Sequence, residues 1–290
     1  MKIDKTRIAY QCPCCASREL SSSPAILMPF ISHRAFNWKP VKIDDSWGLN
    51  SINNGHAYSL CNSLQCNECG FLFLDIRFTD EEASRLYANY REEEYSELRD
   101  FYEPGYSERN DDLNTGYGQK YVSDLEYFLE PHLELPASIL DWGGDTGKNT
   151  PFKEKNKLFD IYDISSNAPI EKAKIVSKEE AYENKYDLVV CSNVLEHVAY
   201  PHEILEEIIP CMDDRSLLYI EVPHENLIMN EKNDLHIKKK HWHEHINFYT
   251  LESLKSLIDN SGLKLVDLNN LEVTNGTSTW FQFQLACRLK

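Results

Sequence analysis

The sequence predicts an α/β protein with a mostly parallel seven-stranded sheet, preceded by a small cysteine-rich module. Six of the nine cysteines fall within the first 70 residues. From about residue 119 onward, apolar strand-like runs alternate with helical patterns, which is typical of a parallel sheet covered by helices. The last two apolar runs have no helix between them, and this predicts a terminal antiparallel hairpin.

The composition divides the 290 residues into three regions. Residues 1–75 contain the cysteine cluster, and we interpret them as a small separate domain. Residues 76–118 are acidic and rich in tyrosine, which suggests a helical connector. Residues 119–290 carry the alternating pattern and are long enough for a full α/β domain.

The seven strands are predicted from the apolar runs of the third region. They are Ser138–Trp142, Leu158–Tyr162, Ala173–Val176, Asp187–Ser192, Leu217–Val222, Leu263–Leu268 and Trp280–Leu289. The helices between them have recognisable starts, because Pro201 suits the first turn of a helix and Thr250 can cap one. An apolar stripe from Tyr121 to Leu129 predicts a further helix ahead of the first strand.

The charge of the chain argues against nucleic acid as a partner. Asp and Glu outnumber Lys and Arg by 47 to 30, which gives a formal net charge of −17. Proteins that bind DNA or RNA take much of their affinity from contacts of Lys and Arg with phosphates. Residues 1–75 are close to neutral, with seven basic against six acidic side chains. We therefore do not expect RNA or DNA as the substrate.

Neither a membrane nor a secreted protein is expected. No apolar run approaches the roughly 18–20 residues that a membrane-spanning helix requires. The first residues, Met1–Lys5, lack the apolar stretch of a secretory signal, so we expect a cytoplasmic location. In that compartment, clustered cysteines indicate metal binding before disulfides.

The N-terminal region contains two Cys-x-x-Cys pairs, Cys12 with Cys15 and Cys66 with Cys69. Two such turns can place four thiolates tetrahedrally around Zn²⁺, and four cysteines leave no open position for catalysis, so we expect a structural zinc site. The long chain between the pairs must then form its own small sheet. Cys14 and Cys61 are alternative ligands, and a redox role for the pairs is the other interpretation.

The most informative segment is a glycine-rich turn after the first predicted strand. Ile139–Gly147 reads ILDWGGDTG, an apolar strand that leads directly into glycines. Glycine permits positive φ and lets a ligand approach the backbone closely, although such a turn can also be only a tight loop. Asp163 ends the next strand, 22 residues after Asp141, where a carboxylate can accept hydrogen bonds from ribose hydroxyls. The Gly-x-Gly-x-x-Gly pattern of dinucleotide-binding proteins does not occur.

This turn resembles the first motif of class I S-adenosylmethionine-dependent methyltransferases, Asp/Glu-x-Gly-x-Gly-x-Gly. Asp141, Gly143 and Gly147 match the motif, whereas Asp145 stands at its middle glycine. The later runs Tyr186–Val198 and Leu217–Pro223 resemble the fourth and fifth strands of the same family. The resemblance implies a Rossmann-like seven-stranded methyltransferase sheet and S-adenosylmethionine as cofactor. The cofactor-binding residues that it implies are Asp141, Gly143, Gly144, Asp145, Gly147, Asp163, Ser192 and Asn193.

An unusual segment, residues 238–249, separates the fifth strand from the Thr250 helix and reads KKKHWHEHINFY. Together with the cysteine pairs and the tyrosine-rich connector, it resembles the layout of zinc-containing sugar methyltransferases, including nucleotide-linked deoxysugar C-methyltransferases. That family carries a Glu-His dipeptide before a capped helix. The resemblance implies a sugar or nucleotide-linked sugar as substrate, His245 as general base and Glu244 as the residue that orients it.

The histidines of the chain have other interpretations. His241, His243 and His245 alternate, so an extended segment would place them on one face as a metal triad, or they serve only in capping and packing. Glu196 and His197 follow the fourth strand, and we interpret them as residues that position the loop and the cofactor.

Two other functions are considered for the whole chain. One is an RNA methyltransferase in which the zinc module reads the RNA, against which the charge count speaks. The other is a non-catalytic binding module in which Asp145 has spoiled the cofactor pocket. The lysine run 238–240 either holds a substrate phosphate or is a solvated loop.

Overall fold

The structure is a computed structural model of the chain. It describes residues 3–39, 41–43, 55–57, 60–90, 92–105, 117–165, 167–231, 233–274 and 279–290. Part of the predicted connector, residues 106–116, lies outside these ranges. Among the described residues, no helix has the length and apolar character needed to cross a lipid bilayer.

The N-terminal region forms short strands and one helix in its described part. These are β1 (Leu20–Leu27), α1 (Pro29–Phe36), β2 (Val41–Ile43), β3 (Gly55–Ala57), β4 (Leu60–Cys66) and β5 (Leu72–Leu74). β4 pairs antiparallel with both β1 and β5. Leu20 at the start of β1 lies opposite Cys66 at the end of β4. β2 pairs with β3 in a separate ribbon. The chain between the cysteine pairs therefore builds sheet structure, as expected.

The predicted connector contains two helices in its described part, α2 (Asp80–Tyr87) and α3 (Glu93–Tyr102). A third helix, α4 (Tyr117–Leu129), begins at its end and lies mostly in the third region. α2 begins at a capping box, in which the Thr79 hydroxyl accepts the Glu82 N–H and the Glu82 carboxylate accepts the Thr79 N–H. α4 buries Leu125 and Leu129 against the core of the following domain, which accounts for the apolar stripe in its sequence.

The third region alternates strands and helices in the predicted way. Its elements are β6 (Ala137–Trp142), β7 (Asn156–Tyr162), β8 (Lys174–Ile175), α5 (Lys178–Tyr182), β9 (Leu188–Ser192), α6 (Pro201–Ile208), β10 (Leu217–Pro223), α7 (Asn226–Asn230), α8 (Leu235–Lys238), β11 (His241–Trp242), β12 (Asn247–Phe248), α9 (Leu251–Asn260), β13 (Leu263–Thr274) and β14 (Thr279–Leu289). Single 3-10 turns follow α4 and α6. Pro201 occupies the first turn of α6, and Thr250 caps α9, as the sequence predicts.

The large sheet has the strand order β13-β14-β10-β9-β6-β7-β8. Its strands from β8 to β10 are parallel, and β14 runs antiparallel to both of its neighbours. The predicted Rossmann-like sheet with a terminal hairpin is therefore confirmed. β13 extends six residues past its predicted end at Leu268, because its polar second half continues to pair with β14 as far as Thr274.

The small sheet has the order β11-β1-β4-β5-β12, so two strands from the 238–249 segment form its two edges. β11 pairs parallel with β1, and β12 pairs antiparallel with β5. This sheet thus contains residues from both sides of the boundary predicted at residue 75. Trp242 in β11 is fully buried, and its indole N–H donates to the Ser63 hydroxyl of β4 at 2.8 Å. The cysteine-rich module and the 238–249 segment are therefore one packed unit.

Candidate active site

A cleft of about 1230 Å³ lies at the carboxyl ends of β6, β7 and β9. In an open α/β sheet this edge is the usual place for ligands. Its wall combines residues from the glycine-rich turn, the end of β7, the loop after β9, the connector and the 238–249 segment. They include Tyr87, Tyr90, Trp142, Gly143, Asp145, Tyr162, Asp163, Ser192, Asn193, Glu196, His197, Glu244 and His245.

The glycines of the turn are required by packing as well as by backbone angles. Gly143 has φ +81° and its N–H donates to the Tyr162 carbonyl at 2.7 Å, while an added Cβ would come within 2.4 Å of a Val194 methyl group. Gly147 has φ +77°, and a Cβ there would lie 2.7 Å from Ile161. Because no larger residue fits these positions, the turn keeps the backbone of Gly143 at the cleft wall.

Asp141 lies beneath the turn and does not line the cleft. It is buried, it accepts a hydrogen bond from the Thr150 hydroxyl, and its carboxyl carbon would meet a Cβ on Gly144 at 2.4 Å. Burial raises the pKa of Asp141 to about 7, although the Thr150 hydrogen bond opposes the shift. Of the residues expected to bind the cofactor, Asp141, Gly144 and Gly147 shape the turn, whereas Gly143 and Asp145 face the cleft.

Asp145 adopts the left-handed backbone conformation that a glycine would otherwise supply, with φ +50°. Its N–H donates to Asp163 Oδ2 at 2.8 Å, and its carboxylate accepts the Asn167 amide at 2.6 Å. Local hydrogen bonds of this kind let aspartate tolerate the conformation. Asp163 also accepts the Ser165 N–H through Oδ1 at 2.5 Å, so each of its oxygens holds one backbone donor and keeps a lone pair for a ligand.

Ser192 and Asn193 meet a buried carboxylate that the sequence analysis missed. The hydroxyl of Ser192 and the amide of Asn193 donate to Glu221 Oε1 at 3.0 and 3.1 Å. Tyr121 donates to the same oxygen, and Tyr219 donates to Oε2 at 2.6 Å. Glu221 is fully buried in β10, and an acidic residue inside the apolar run LLYIEVP was the available signal.

The 238–249 segment is attached to the loop after β9 by backbone hydrogen bonds. The Glu196 carbonyl accepts the N–H groups of Ile246 and Asn247 at 2.8 and 3.1 Å. Arg77 is buried and donates to the Ala199 carbonyl at 2.8 Å and to the Asn247 side chain at 3.0 Å. These contacts fix the position of His245, which immediately precedes the attached residues, at the cleft wall.

His245 is oriented by a different carboxylate from the one expected. Its Nδ1 lies 2.8 Å from Glu225 Oε1, whereas Glu244 forms an ion pair with Arg99 at 2.6 Å. The expectation that Glu244 holds His245 is therefore corrected to Glu225, which follows β10. Burial lowers the pKa of His245, but the hydrogen bond to Glu225 and the charge of Glu196 outweigh it, so the net shift is upward.

Glu196 and His197 lie beside His245. The rings of His197 and His245 are 4.8 Å apart, and His197 Nδ1 lies 2.8 Å from the Tyr87 hydroxyl. Glu196 is 1% exposed, and neither of its carboxylate oxygens has a hydrogen-bond partner among the described residues. The two residues therefore form part of the wall of the cleft itself.

The remaining features of the 238–249 segment lie away from the cleft. His241 is exposed, and His243 pairs with Glu103 at 3.2 Å, so the described residues do not bring three alternating histidines together. Lys238 pairs with Glu231, and the Lys239 ammonium lies over aromatic rings of the small sheet. None of the three lysines lines the cleft.

The four predicted zinc ligands come together at one end of the small sheet. The sulfurs of Cys12, Cys15, Cys66 and Cys69 all lie within 4.8 Å of one another, with cross-pair distances of 3.6 Å between the outer cysteines and 3.5 Å between the inner ones. Tetrahedral zinc with Zn–S bonds of about 2.3 Å separates its sulfurs by roughly 3.8 Å. The sulfur geometry fits that ion, while Cys14 and Cys61 lie outside the group.

The two cysteine turns have the same backbone form. The residue after the second cysteine is left-handed in each, Ala16 with φ 59° and Gly70 with φ 74°. Each of these residues donates its N–H to the carbonyl of the first cysteine of its pair. The group contacts the large domain through Thr250, whose hydroxyl donates to the Cys69 carbonyl at 2.6 Å.

Comparison with known proteins gives a family match and several structural neighbours. A family model described as a methyltransferase domain matches residues 114–268. The Burkholderia thailandensis 1,6-didemethyltoxoflavin-N1-methyltransferase, solved with 1,6-didemethyltoxoflavin and S-adenosylhomocysteine, is 17% identical over 68% of this chain and 89% of its own, with a TM-score of 0.45. The magnesium protoporphyrin IX methyltransferase of Synechocystis PCC 6803, with bound S-adenosylhomocysteine, is 14% identical over 62% and 86%, with a TM-score of 0.44. A search of curated proteins finds no significant match.

Proposed function

The chain belongs to the methyltransferase-domain family, whose model spans more than half of its residues, and we propose that it transfers a methyl group from S-adenosylmethionine to a sugar or nucleotide-linked sugar. One observation carries the proposal. The predicted cofactor residue Asp163 and the predicted base His245, which are 82 residues apart in the sequence, line the same cleft. A donor bound at one end would thus lie next to an acceptor bound at the other.

The described residues fit S-adenosylmethionine at the β6–β7 end of the cleft. In this proposal Asp163 accepts hydrogen bonds from the ribose hydroxyls with its remaining lone pairs, and the backbone at Gly143 borders the methionine part. Ser192 and Asn193, held by Glu221, line the side toward β9. When bound, the cofactor supplies an electrophilic methyl group on a sulfonium. The turn and Asp163 are already held in place by hydrogen bonds before the ligand arrives.

At the acceptor end, we assign His245 as the residue that removes a proton from the nucleophile. Its Nδ1 is engaged by Glu225 at 2.8 Å, which leaves Nε2 to receive the proton and stabilises the imidazolium that forms. Thr79, Tyr87 and Tyr90, which carry hydroxyl groups, also line the cleft, and the Tyr87 hydroxyl lies 2.8 Å from His197 Nδ1. Such a wall suits an acceptor rich in hydroxyl groups, and it supports the sugar class.

We also propose that Zn²⁺ binds the four clustered cysteines as a structural ion. Four thiolates close the coordination sphere, so the ion would take no part in the chemistry. Its task would be to fix the two turns against α9, through the Cys69–Thr250 hydrogen bond, and against the end of β4.

The proposed function is tested in two steps. Calorimetry with S-adenosylmethionine measures cofactor binding, and mass spectrometry then screens sugars and sugar nucleotides for a gain of one methyl group. Saturable cofactor binding with methylation of at least one sugar is expected. No binding at millimolar cofactor would favour a non-catalytic module. Methylation of RNA but of no small molecule would favour the alternative substrate.

A further inference from the structure

A second group of metal-binding side chains lies inside the cleft, and we propose that it binds a divalent transition-metal cation. The group consists of Glu196, His197 and His245, and one ligand atom from each lies within 4.8 Å of the other two. Two imidazoles and one carboxylate are the protein ligands of many catalytic zinc and non-haem iron sites. The inference goes beyond methyl transfer, because cation binding requires neither cofactor nor acceptor.

The environment of Glu196 is the first argument for a cation. Its side chain is 1% exposed and lines the cleft, and neither carboxylate oxygen has a hydrogen-bond partner among the described residues. Buried carboxylates are almost always paired, hydrogen-bonded or bound to a metal. His197 Nε2 lies 3.7 Å from Glu196 Oε1, which is too far for a hydrogen bond. A cation between these groups would satisfy the carboxylate.

The partners of the two histidines are the second argument. His245 Nδ1 lies 2.8 Å from Glu225, and His197 Nδ1 lies 2.8 Å from the Tyr87 hydroxyl and 3.1 Å from the Glu244 carbonyl. Histidines that bind metals usually have their other ring nitrogen held by a carboxylate, a carbonyl or a similar group. Both rings thus have the orientation in which Nε2 is the ligand atom.

Three protein ligands leave coordination positions open, and all three side chains face the cleft. A water molecule or an acceptor oxygen could occupy those positions, and binding to a divalent cation lowers the pKa of a hydroxyl. His245 cannot hold a cation at Nε2 and accept a proton there simultaneously. The cation and the free imidazole are therefore alternative ways to activate the acceptor, and the cation would favour substrates with neighbouring hydroxyl groups that chelate it.

Manganese(II) is a suitable probe, because it prefers oxygen and nitrogen ligands and competes poorly with zinc for four thiolates. The full chain, with its zinc retained, is titrated with Mn²⁺, and free Mn²⁺ is followed by electron paramagnetic resonance. We expect one saturable site per chain. Glu196→Gln and His245→Asn should each weaken it at least 10-fold, and Glu225→Gln should weaken it by about 10-fold, because the outer hydrogen-bond acceptor loses its negative charge.

The matched control is Glu81→Gln, which removes the same negative charge as Glu196→Gln. Glu81 is an exposed residue of the same cleft and lies outside the group of Glu196, His197 and His245. It should leave Mn²⁺ affinity unchanged, which separates a built site from general attraction to a chain of net charge −17. Thermal unfolding and cofactor binding report whether each variant is folded. If Glu196→Gln does not fold, His245→Asn replaces it as the test of the cation site.

The absence of a saturable site would overturn the inference, as would equal weakening in Glu81→Gln and Glu196→Gln. Cofactor binding and methyl gain are measured separately, in buffer free of added cations. Loss of the cation site would thus leave the methyltransferase proposal standing, and failure of methyl transfer would leave the cation site intact.

Discussion

Leu27 of β1 and Trp242 of β11 are paired across two parallel strands, and the Met28 N–H donates to the Trp242 carbonyl at 2.9 Å. At the opposite edge of the same sheet, Asn247 pairs with Phe73. The four residues between these strands, 243–246, therefore connect the two edges of the small sheet, and they include His245. The position of His245 thus depends on a sheet whose central strand, β4, ends at Cys66.

This dependence predicts the effect of breaking the cysteine group. We expect Cys66→Ser to remove zinc and to lower turnover by about 100-fold, because a displacement of about 1 Å at a reacting group has that effect. Affinity for S-adenosylmethionine should change little, since Asp163 and the turn belong to the large sheet. Metal analysis, calorimetry and turnover of the same preparation test this prediction.

The control for this variant is Cys61→Ser, which lies in the same strand but outside the sulfur group. It should retain one zinc per chain and most of its turnover. Equal loss of turnover in both variants would show that damage to β4, rather than loss of the metal site, is responsible.

The His245–Glu225 hydrogen bond predicts how two variants rank in their loss of turnover. His245→Ala should lower kcat by about 10²- to 10⁴-fold, the usual contribution of a general base. Glu225→Gln should lower it less, because the imidazole remains but loses its charged partner. Both variants should bind S-adenosylmethionine with unchanged affinity, as measured by calorimetry.

Glu231→Gln is the matched control for Glu225→Gln, because Glu231 lies near the same segment but pairs with Lys238 away from the cleft. Its kcat should equal that of the unmodified chain. Full activity in His245→Ala would remove His245 from the mechanism altogether, whether as base or as ligand.

The large sheet could be predicted from sequence because its information is local. Each strand is an apolar run of its own, and the starts of α6 and α9 are marked by Pro201 and Thr250. β8 is the weakest case, with two paired residues where four were expected. The glycine turn could be recognised because its motif is contiguous in the sequence, although the contact that excludes a larger residue at Gly143 comes from the distant Val194.

The acceptor side could not be predicted in the same way, because its contacts join distant segments. β11 and β12 are two residues each and are strands only through pairing with β1 and β5. The resemblance to the sugar methyltransferases implied Glu244 as the partner of His245, but in the structure Glu244 pairs with Arg99 and His245 with Glu225. Glu225 and His245 are 20 residues apart, and the short helices and strand between them give no periodicity or spacing that signals their contact.

Asp145 gives a prediction about the departure from the glycine motif. At φ +50°, Asp145→Ala should destabilise the chain by about 1–2 kcal/mol, because alanine meets the left-handed penalty without the hydrogen bond to Asn167. Asp145→Gly should be close to neutral, since glycine removes that penalty and so offsets the lost hydrogen bond. Denaturant unfolding of the two variants measures the difference. Equal stability would show that the backbone at residue 145 relaxes.

The buried carboxyl of Asp141 predicts an unusual pH dependence of stability. Its folded pKa of about 7 lies above the ordinary value of 3.8, because burial disfavours the charged form. The folded state therefore holds a proton that the unfolded state releases between these values. Its contribution to stability is full below about pH 4 and is lost as the pH rises through 7, by about 1.4 kcal/mol for each pH unit in that window.

Asp141→Asn isolates this contribution, because an amide keeps the shape of the side chain and its carbonyl oxygen can still accept the Thr150 hydrogen bond. The difference in unfolding free energy between the two proteins should grow in favour of Asp141→Asn from pH 4 to pH 7. Denaturant unfolding at closely spaced pH values measures it, with all other titrating groups common to both proteins. A difference that stays constant across this range would mean that Asp141 is already ionised in the folded chain, and that the turn tolerates a buried negative charge.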